Sequence, residues 1–594
     1  CLKLHCLCPT IYLRHTTPED SGMERLEAKK IGGRTYYYYS RWGWVDGKCR
    51  RLWQKYLGKL EDIAKAVDGG PAPVYAEVFE FGLSMAMWKE AQRQEVALHT
   101  DRLCPKRKQG LSVGEYLAVA AVNRAAEPVS KRAMWDWFSQ TTLRRALPKA
   151  DQAALASQRF WDHMAAIPEK TVLEVWQQII KGAFEREQID PSRLCYDGTN
   201  FYTFINTFND HCSLARRGKN KQGRSNLRQI SYALFCSRDG HVPIYYDLYE
   251  GNTNDAKQFP VMIERFGEFL QSMSPEPGIS TAPEVTVVFD KGNNSAANIA
   301  RLDALPLHFV GSVKLDEHSD LAGLSNRDPR MVACVRPRLE GFKALCTSKG
   351  VYGKERKVVV TFNQELFNTQ LRTVHADIDK ALTGLAEIRQ RLDDRANGLI
   401  TGGRAPTPES IRKQCDGLRS RPFLGELISV CVGPGPSLKY QVESNRIEEL
   451  SDTILGKTII ISSHLEWDAE EIIEAYHSQF IIEHVFREMK DRSTGTWWPL
   501  NHWTDQKIRV HGLYCTIAVL LRALIQRRAA LAGMPMPMNR LLAELDGIRE
   551  VVNVYKRRPR AKAPRQQTVL TKMNQVQERL VRLLGLEPGD ASLG

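Results

Sequence analysis

The sequence predicts a mixed α/β fold around a central sheet, because strand and helix patterns alternate through the middle of the chain. Residues 226–252 form two strand patterns joined at the Asp239-Gly240 turn signal. A helical pattern follows, and then residues 284–290 (EVTVVFD) form a continuous apolar run, typical of a central strand buried on both faces. A second helical pattern, with Asn294 or Ser295 as its N-cap, leads to another strand at residues 307–314.

Length and composition limit the class of protein. The chain of 594 residues is too long for one hydrophobic core, so we expect three to five structural units. The net charge of +14 favours a polyanionic partner, nucleic acid first, although an ordinary basic protein would also fit. The thirteen cysteines include no CxxC pair, which favours reduced thiols over a disulfide framework or a zinc site. No apolar run approaches the roughly 18 residues of a membrane helix, so no membrane partner is expected, and residues 513–521 are predicted to be a core helix.

Changes in pattern divide the chain into seven predicted segments. The first methionine is Met23, so the residues before it are predicted to be disordered or upstream read-through. The segments are 1–22 (disordered or read-through), 23–65 (a basic, aromatic β arm), 66–190 (helical), 191–314 (first part of the α/β core), 315–455 (an inserted α+β subdomain), 456–530 (second part of the core) and 531–594 (a basic C-terminal tail).

Three of these segments carry candidate nucleic-acid contacts. Residues 29–60 alternate aromatic and basic residues around the Asp46-Gly47 turn signal. This pattern is typical of a surface that binds nucleic acid, or of a small sheet whose basic side chains are solvated. Residues 66–190 have helical spacing and are interpreted either as a DNA-binding module or as plain scaffold. The basic run at residues 555–565 is a candidate for phosphate contacts.

Carboxylates interrupt the predicted strands at two places. Asp197 lies in the middle of the apolar stretch RLCYDGTNFYTF, and Asp290 ends the most apolar strand of the chain. A buried carboxylate is costly unless it is paired or binds a metal ion. With a later helical acid, Glu483, these residues form the set that two divalent ions require for in-line displacement at phosphorus. Oxygen ligands select Mg²⁺ or Mn²⁺, so two such ions per site are expected.

Residues 468–492 are predicted to form one helix with Asp468 as its N-cap. At about 100° per residue, spacings of 3, 4, 4 and 3 place five polar residues on one stripe: Tyr476, Gln479, Glu483, Arg487 and Lys490. Taken alone, this stripe would be an ordinary solvated face with i, i+4 ion pairs. Beside two strand aspartates, it predicts an acid flanked by cations that hold a phosphate backbone.

The spacing Y476-x2-Q479-x3-E483-x6-K490 closely resembles the Y-x2-R-x3-E-x6-K signature of bacterial insertion-sequence DDE transposases, in the cut-and-paste superfamily of insertion sequence four. Other segments resemble the family in the same order along the chain: YDGTNFYTF, LYEGNTNDAKQF, VVFDKGNNSAAN and RVHGLYCTIAVLL. One departure is that Gln479 stands where the signature has Arg. A glutamine brings no charge, which leaves three alternatives open: a weaker DNA contact, compensation by Arg487, or a decayed element.

The resemblance implies an RNase H-like mixed-sheet core in which Asp197, Asp290 and Glu483 are the catalytic and metal-binding acids. It also implies DNA contacts from Tyr476 and the rest of the stripe. The implied partners are double-stranded DNA with terminal inverted repeats, target DNA, and a second copy of the chain in a synaptic complex. A cytoplasmic, nucleoid-associated location in bacteria is expected. Two rivals stay open, an RNase H-like nuclease that cuts without joining and a catalytically decayed DNA-binding repressor.

Overall fold

A computed structural model describes the chain except for a few segments: residues 1–22, 46–47, 68–71, 106–109, 220–222, 225, 274–283, 434, 436, 558–562 and 588–594. The predictions for residues 1–22, for the Asp46-Gly47 turn and for the centre of the basic run at 555–565 lie outside the described residues.

The strands are numbered in chain order through the described residues. They are β1 (Met23–Ile31), β2 (Arg34–Val45), β3 (Lys48–Gly58), β4 (Tyr75–Glu80), β5 (Arg193–Thr203), β6 (Arg216–Arg217), β7 (Arg228–Ser237), β8 (Pro243–Glu250), β9 (Val285–Phe289), β10 (Leu307–Val313), β11 (Val332–Ala333), β12 (Phe342–Val351), β13 (Lys354–Asn363), β14 (Ile428–Val432), β15 (Leu438–Val442), β16 (Lys457–Ser462), β17 (Arg549–Val554) and β18 (Gln566–Leu570).

The α-helices are numbered in the same way. They are α1 (Leu60–Val67), α2 (Gly82–Arg93), α3 (Val96–Leu103), α4 (Val113–Ala126), α5 (Met134–Ser139), α6 (Leu143–Ala146), α7 (Ser157–Ala165), α8 (Thr171–Glu187), α9 (Asp255–Met273), α10 (Ala296–Leu302), α11 (Ser319–Ala322), α12 (Gln364–Ala396), α13 (Pro408–Leu418), α14 (Leu424–Leu427), α15 (Ser444–Thr453), α16 (Ala469–His477), α17 (Phe480–Lys490), α18 (Asp505–Leu531), α19 (Met538–Asp546) and α20 (Gln575–Leu584).

The chain divides into two compact units. The smaller unit contains the described residues up to Phe81, together with Ile548–Asn574 and Glu587. It holds two three-stranded antiparallel sheets, one in the order β1-β2-β3 and one in the order β18-β17-β4. The larger unit, mainly Gly82–Gly547, holds the central sheet and most of the helices.

The central sheet has ten strands and is mixed, as the sequence predicts. Its order is β11-β12-β13-β16-β10-β9-β5-β7, with β6 and β8 both paired to β7. Strands β5, β9 and β10 are parallel neighbours, and the other pairings are antiparallel. All five residues of β9 are buried, which confirms the prediction of a strand covered on both faces. Ser295 is the N-cap of α10, and its side chain accepts the Asn298 N–H at 3.2 Å.

Residues 315–455 differ in part from the predicted insertion. Strand β12 pairs with β13, and β13 pairs with β16, so both strands extend the central sheet. Residues 364–455 have a hydrophobic core of their own, formed mainly by the helix residues Val374, Ile378, Leu385 and Ile411 and by the strand residue Leu438. Which part of residues 315–455 joins the central sheet depends on strand pairing between residues far apart in sequence. The local sequence pattern does not predict such pairing.

Two further segments differ from their predicted character. The helical region contains a strand, Tyr75–Glu80, which pairs with β17 across a large sequence separation. The C-terminal segment is not a simple tail, because its described residues form α19, α20, β17 and β18. Four of the six residues of β4 are exposed. A strand with so few buried positions has no clear alternation of apolar and polar residues from which to predict it.

The predicted single helix over residues 468–492 is two helices, α16 and α17. Asp468 is the N-cap of α16 in a full capping box, as predicted. Helix α16 ends at His477, and the hydroxyl of its C-cap residue Ser478 donates to the Ala475 carbonyl at 2.5 Å. Such local side-chain bonds compete with regular helix geometry. The five-residue stripe is therefore divided, with Tyr476 on α16 and Glu483, Arg487 and Lys490 on α17.

Helix α18 contains residues 513–521 and packs as a core helix. It is the one helix among the described residues that is long and apolar enough to cross a membrane, and 94% of its most apolar window is buried within the protein. Its hydrophobicity is therefore accounted for by packing in the larger unit.

Candidate active site at the ends of the parallel strands

A row of polar side chains crosses the three parallel strands. The strand register pairs Cys195 with Val288, and Val288 with Val310. Two residues further along, each strand reaches a polar residue: Asp197, Asp290 and Ser312. Neighbouring strands lie about 4.8 Å apart, so the two aspartates are close on the backbone. Asp197 is half-buried within β5, whereas Asp290 is exposed just after β9.

The row faces the pair α16–α17. The thiol of Cys195 lies 3.2 Å from both the carbonyl and the hydroxyl oxygen of Ser478, between the two helices. Side chains two residues apart on a strand share a face. Asp197 therefore faces the same side of the sheet as Cys195, toward the helix pair.

A second contact fixes α17 along β5. Lys490, at the end of the helix, donates a hydrogen bond to the Thr199 hydroxyl, and its ammonium lies 5.5 Å from the Phe201 ring centroid. Asp197 lies between Cys195 and Thr199 on the strand. Glu483 lies between Ser478 and Lys490 on the chain above it. The Cys195–Ser478 and Thr199–Lys490 contacts therefore lie on either side of Asp197 along the strand and of Glu483 along the chain.

Tyr476 connects the row to the helices. Its hydroxyl forms a 2.7 Å hydrogen bond with the hydroxyl of Ser312, the third member of the row. Burial raises the pKa of the Tyr476 phenol, and the negative charges of Asp290 and Glu483 raise it further. Both carboxylates are thus close enough to act on the same phenol. The protonated phenol is a hydrogen-bond donor at neutral pH.

An open cleft of about 910 Å³ begins at this row. Its wall includes Asp290, Ser312 and Tyr476, and it continues past Lys291 and Lys314. Lys314 pairs with Glu317 at 3.2 Å. The wall also includes Glu426, Arg446 and Glu449, so the charge along the cleft is mixed. Beside Asp290, the lysines suit contact with a phosphate backbone.

The remaining stripe residues differ in their surroundings. Arg487 is exposed in the last turn of α17. Gln479, at the N-terminus of α17, is half-buried, and its side-chain amide nitrogen is buried without a hydrogen-bond partner in the described part of the chain. Arg487, and not Gln479, presents a cation at the surface of this helix.

The donor set suits a hard divalent ion, but the side chains do not converge on one point. One oxygen of Asp197 accepts the Gly198 N–H at 2.7 Å, and one oxygen of Asp290 accepts the Lys291 N–H at 2.6 Å. Within the described ranges, no group of three His, Cys, Asp or Glu residues is close enough to hold a metal ion. The backbone places the two aspartates side by side, and Glu483 is exposed on α17. Binding of two ions by these acids stays a prediction.

Sequence reasoning missed two members of the site, Ser312 and Thr199. Each had a signal, since Ser312 is a polar residue in an apolar strand and Thr199 lies two residues after Asp197. Two neighbours of the site are held by other contacts: Trp497 is fully buried and its ring stacks on Phe201 at 4.0 Å, and His484 pairs with Glu488 at 3.0 Å.

Comparison with known proteins identifies the class. The family model described as "Transposase DDE domain" matches residues 188–521, which contain both aspartates, α16 and α17. The chain belongs to this family of transposase domains. No curated protein matches the chain. Among solved structures, one described as a piggyBac transposase synaptic complex with hairpin DNA is similar over 78% of this chain and 79% of that chain, with 9% identity and a TM-score of 0.37.

Proposed function

We propose that this chain is the DNA transposase of a bacterial insertion sequence, which cleaves DNA at the ends of the element and joins them to a target. The observation that carries the proposal is the level placement of Asp197 and Asp290 on adjacent parallel strands, under the helix that bears Glu483 and Lys490. Membership of the transposase family supports the reaction class. The resemblance to the superfamily of insertion sequence four supports the finer assignment.

The proposed catalytic core is RNase H-like. In support, one part of the sheet has the order β8-β7-β5-β9-β10, with its first three strands antiparallel and its last three parallel. Asp197 lies within β5, two residues after the last pairing of β5 with β9, and Asp290 directly follows β9, beside a helix that packs on β5. Residues 364–455, with their separate core, lie between β13 and β16 in sequence, which is in keeping with an inserted subdomain.

Asp197, Asp290 and Glu483 would hold two Mg²⁺ or Mn²⁺ ions. When bound, such ions activate a water or a 3′ hydroxyl and stabilise the leaving oxygen. Lys490 holds its ammonium beside the acids through Thr199 and is positioned to bind a phosphate oxygen. Tyr476 keeps a protonated phenol, a group able to donate to a phosphate oxygen, and Arg487 supplies the exposed cation that Gln479 lacks.

The proposed partners are double-stranded DNA with terminal inverted repeats, and target DNA. Because synapsis brings two ends together, the working form would be a homodimer acting at the bacterial nucleoid. The surplus of 83 Lys and Arg over 69 Asp and Glu supports a polyanionic partner.

The deciding experiment is cleavage and joining of DNA that carries the element's ends, with Mg²⁺, comparing wild type with Glu483→Gln. We expect the variant to lose roughly 10³-fold or more of the cleavage rate, the scale of losing one electrostatic stabiliser of a transition state. Binding of the DNA ends should change little. The matched control is Glu488→Gln, on the same helix but paired with His484, which should cleave at close to the wild-type rate.

Three outcomes would count against the proposal. Full cleavage activity in Glu483→Gln would show that Glu483 does not act with Asp197 and Asp290 as a catalytic acid. Cleavage by wild type without joining would favour an RNase H-like nuclease. Tight binding to the ends, with no cleavage by wild type, would favour a decayed transposase that acts as a repressor.

A further inference from the structure

The first three strands carry an unusual share of the chain's charge. Residues 23–59 contain ten Lys or Arg and three Asp or Glu, a net charge of +7 out of +14 for the whole chain. This charge is spread over a sheet that the site described above does not use. A positive charge of this density on a small sheet indicates a polyanionic binding partner.

The strand register separates the two faces of this sheet. Arg25 is opposite Ser40, and Ser40 is opposite Gln54, so these three side chains share a face. By alternation from them, and across the register shift next to Trp42, the same face carries the residues that define the aromatic–cation face: Arg25, Lys29, Tyr38, Trp42, Arg51 and Tyr56.

Cations on this face lie over aromatic rings. The Arg25 guanidinium lies 4.1 Å from the Trp42 ring centroid, and Arg51 lies over the same ring at 5.8 Å. The Lys29 ammonium lies 4.8 Å from the centroid of Tyr38. Such contacts restrict the long side chains before a partner arrives, which lowers the entropy cost of binding. Lys29 and Arg51 are nevertheless exposed.

The carboxylate of Glu27, on this face, already has hydrogen-bond and ion-pair partners within the sheet. Glu27 accepts hydrogen bonds from Ser40 at 2.6 Å, Trp42 at 2.8 Å and Gln54 at 3.1 Å, and it pairs with Arg25 at 3.2 Å. The Ser40 bond contributes most to lowering the pKa of Glu27. At the end of the sheet, the carboxylate of Asp62 accepts the Lys59 N–H.

Lys29 and Arg51 have no carboxylate partner among the described residues. Both side chains are therefore open to an anion from outside the sheet.

We propose that the aromatic–cation face is a docking surface for duplex DNA, which contacts the phosphate backbone without reading sequence. This inference rests on the proposed function only for the identity of the polyanion. An unpaired strand would need open ring faces for base stacking. Here Trp42 is covered by two guanidinium groups, and Tyr38 is covered by Lys29 and packs at 5.2 Å against Tyr56. The Tyr56 ring is 55% exposed, but cations lie over both Trp42 and Tyr38, so at these two rings the face offers cations to phosphates.

The test compares two double variants of the full-length chain that remove equal charge. Lys29→Gln/Arg51→Gln alters the aromatic–cation face, and Lys30→Gln/Lys55→Gln alters the opposite face of the same strands. Affinity for a duplex of unrelated sequence is measured without divalent ions over a series of salt concentrations, so that no cleavage occurs. Thermal unfolding confirms that both variants keep the fold.

We expect the first variant to lower the slope of log K against log salt by about 2, since each lost phosphate contact removes about 0.9. At about 0.1 M salt, its affinity should fall by roughly ten- to sixty-fold. The control should keep the wild-type slope. Lys29→Arg/Arg51→Lys, which conserves charge, should also keep it.

Equal slopes for the two Gln variants would overturn the docking surface. A larger loss of affinity for a single-stranded oligonucleotide than for the duplex would overturn the duplex assignment. Because no cleavage is measured, these outcomes are independent of the Glu483→Gln result that tests the proposed function.

Discussion

The end of the central sheet and the sheet β1–β3 use charge in opposite ways. At the central sheet, one aspartate within β5 and one just after β9 stand side by side on buried parallel strands, and a helix held by two contacts supplies a third acid. On β1–β3, nine cations are spread over a thin sheet that is largely exposed, and aromatic rings hold three of them. The difference separates chemistry at one phosphorus atom from a grip on many phosphates.

The physical reason lies in burial. A reacting group must be held within a fraction of an ångström, and only well-packed elements do this. Phosphate contacts tolerate motion, because their attraction falls gradually with distance and is screened over about 10 Å at ordinary salt. The central strands therefore need a packed core beneath their acids, whereas the small sheet needs charge density and little else.

Core truncation should give the largest effect and distinguish the two sheets most clearly. Phe289 directly precedes Asp290, is fully buried, and packs on Phe259 with ring centroids 4.8 Å apart. We expect Phe289→Ala to destabilise the larger unit by about 3–5 kcal/mol in urea unfolding. Tyr38→Ala in the small sheet should cost only about 1 kcal/mol, through its lost ring and cation contacts. Similar losses for both variants would contradict the contrast in rigidity.

A smaller effect is expected from the cation beside the acids. Lys490→Gln removes the charge that is held over Phe201 and bonded to Thr199. We expect about a 100-fold slower cleavage of end DNA, within the range for a positioned electrostatic group, with little change in stability. Arg487→Gln, on the exposed side of the same helix, should act mainly through the salt dependence of DNA binding. If the two substitutions slow cleavage equally, the cleavage rate does not depend on the precise position of the Lys490 ammonium.

The smallest expected effect concerns Tyr476. Tyr476→Phe removes the hydrogen bond to Ser312 and should slow cleavage by about tenfold, the scale of one hydrogen bond to a partly buried group. Because burial and the nearby acids raise the pKa of the phenol above its usual value of about 10, wild type stays protonated at neutral pH. The ratio of wild-type to variant rates should therefore be constant from about pH 6 to about pH 9. A ratio that falls as the pH rises toward 9 would indicate a phenol that ionises in this range.

The local pattern of the sequence predicted the strands and helices of the central region well. Continuous apolar residues identified β9, and an apolar stretch interrupted by Asp197 identified β5. Capping chemistry identified the start of α16 at Asp468. These features depend on neighbours within a few residues, which is the range over which periodicity and caps act.

Features that depend on distant residues were predicted less well. The break at Ser478 depends partly on Cys195, which is far away in sequence, and the strand Tyr75–Glu80 exists through its pairing with β17. Ser312 joins the row only because β10 pairs with β9 in one particular register. A shift of one residue would have turned this side chain to the other face of the sheet.

The sequence by itself determined the composition of the site: two strand acids, a helical acid, and cations at helical spacing beside it. It also determined that half of the net charge would fall within residues 23–59. Only the tertiary structure decided that Asp197 and Asp290 are level, that α17 lies over them, and which face of β1–β3 gathers its cations around aromatic rings. Side-chain identity and spacing are local properties of the chain, whereas strand register and helix placement arise from packing between residues far apart in sequence.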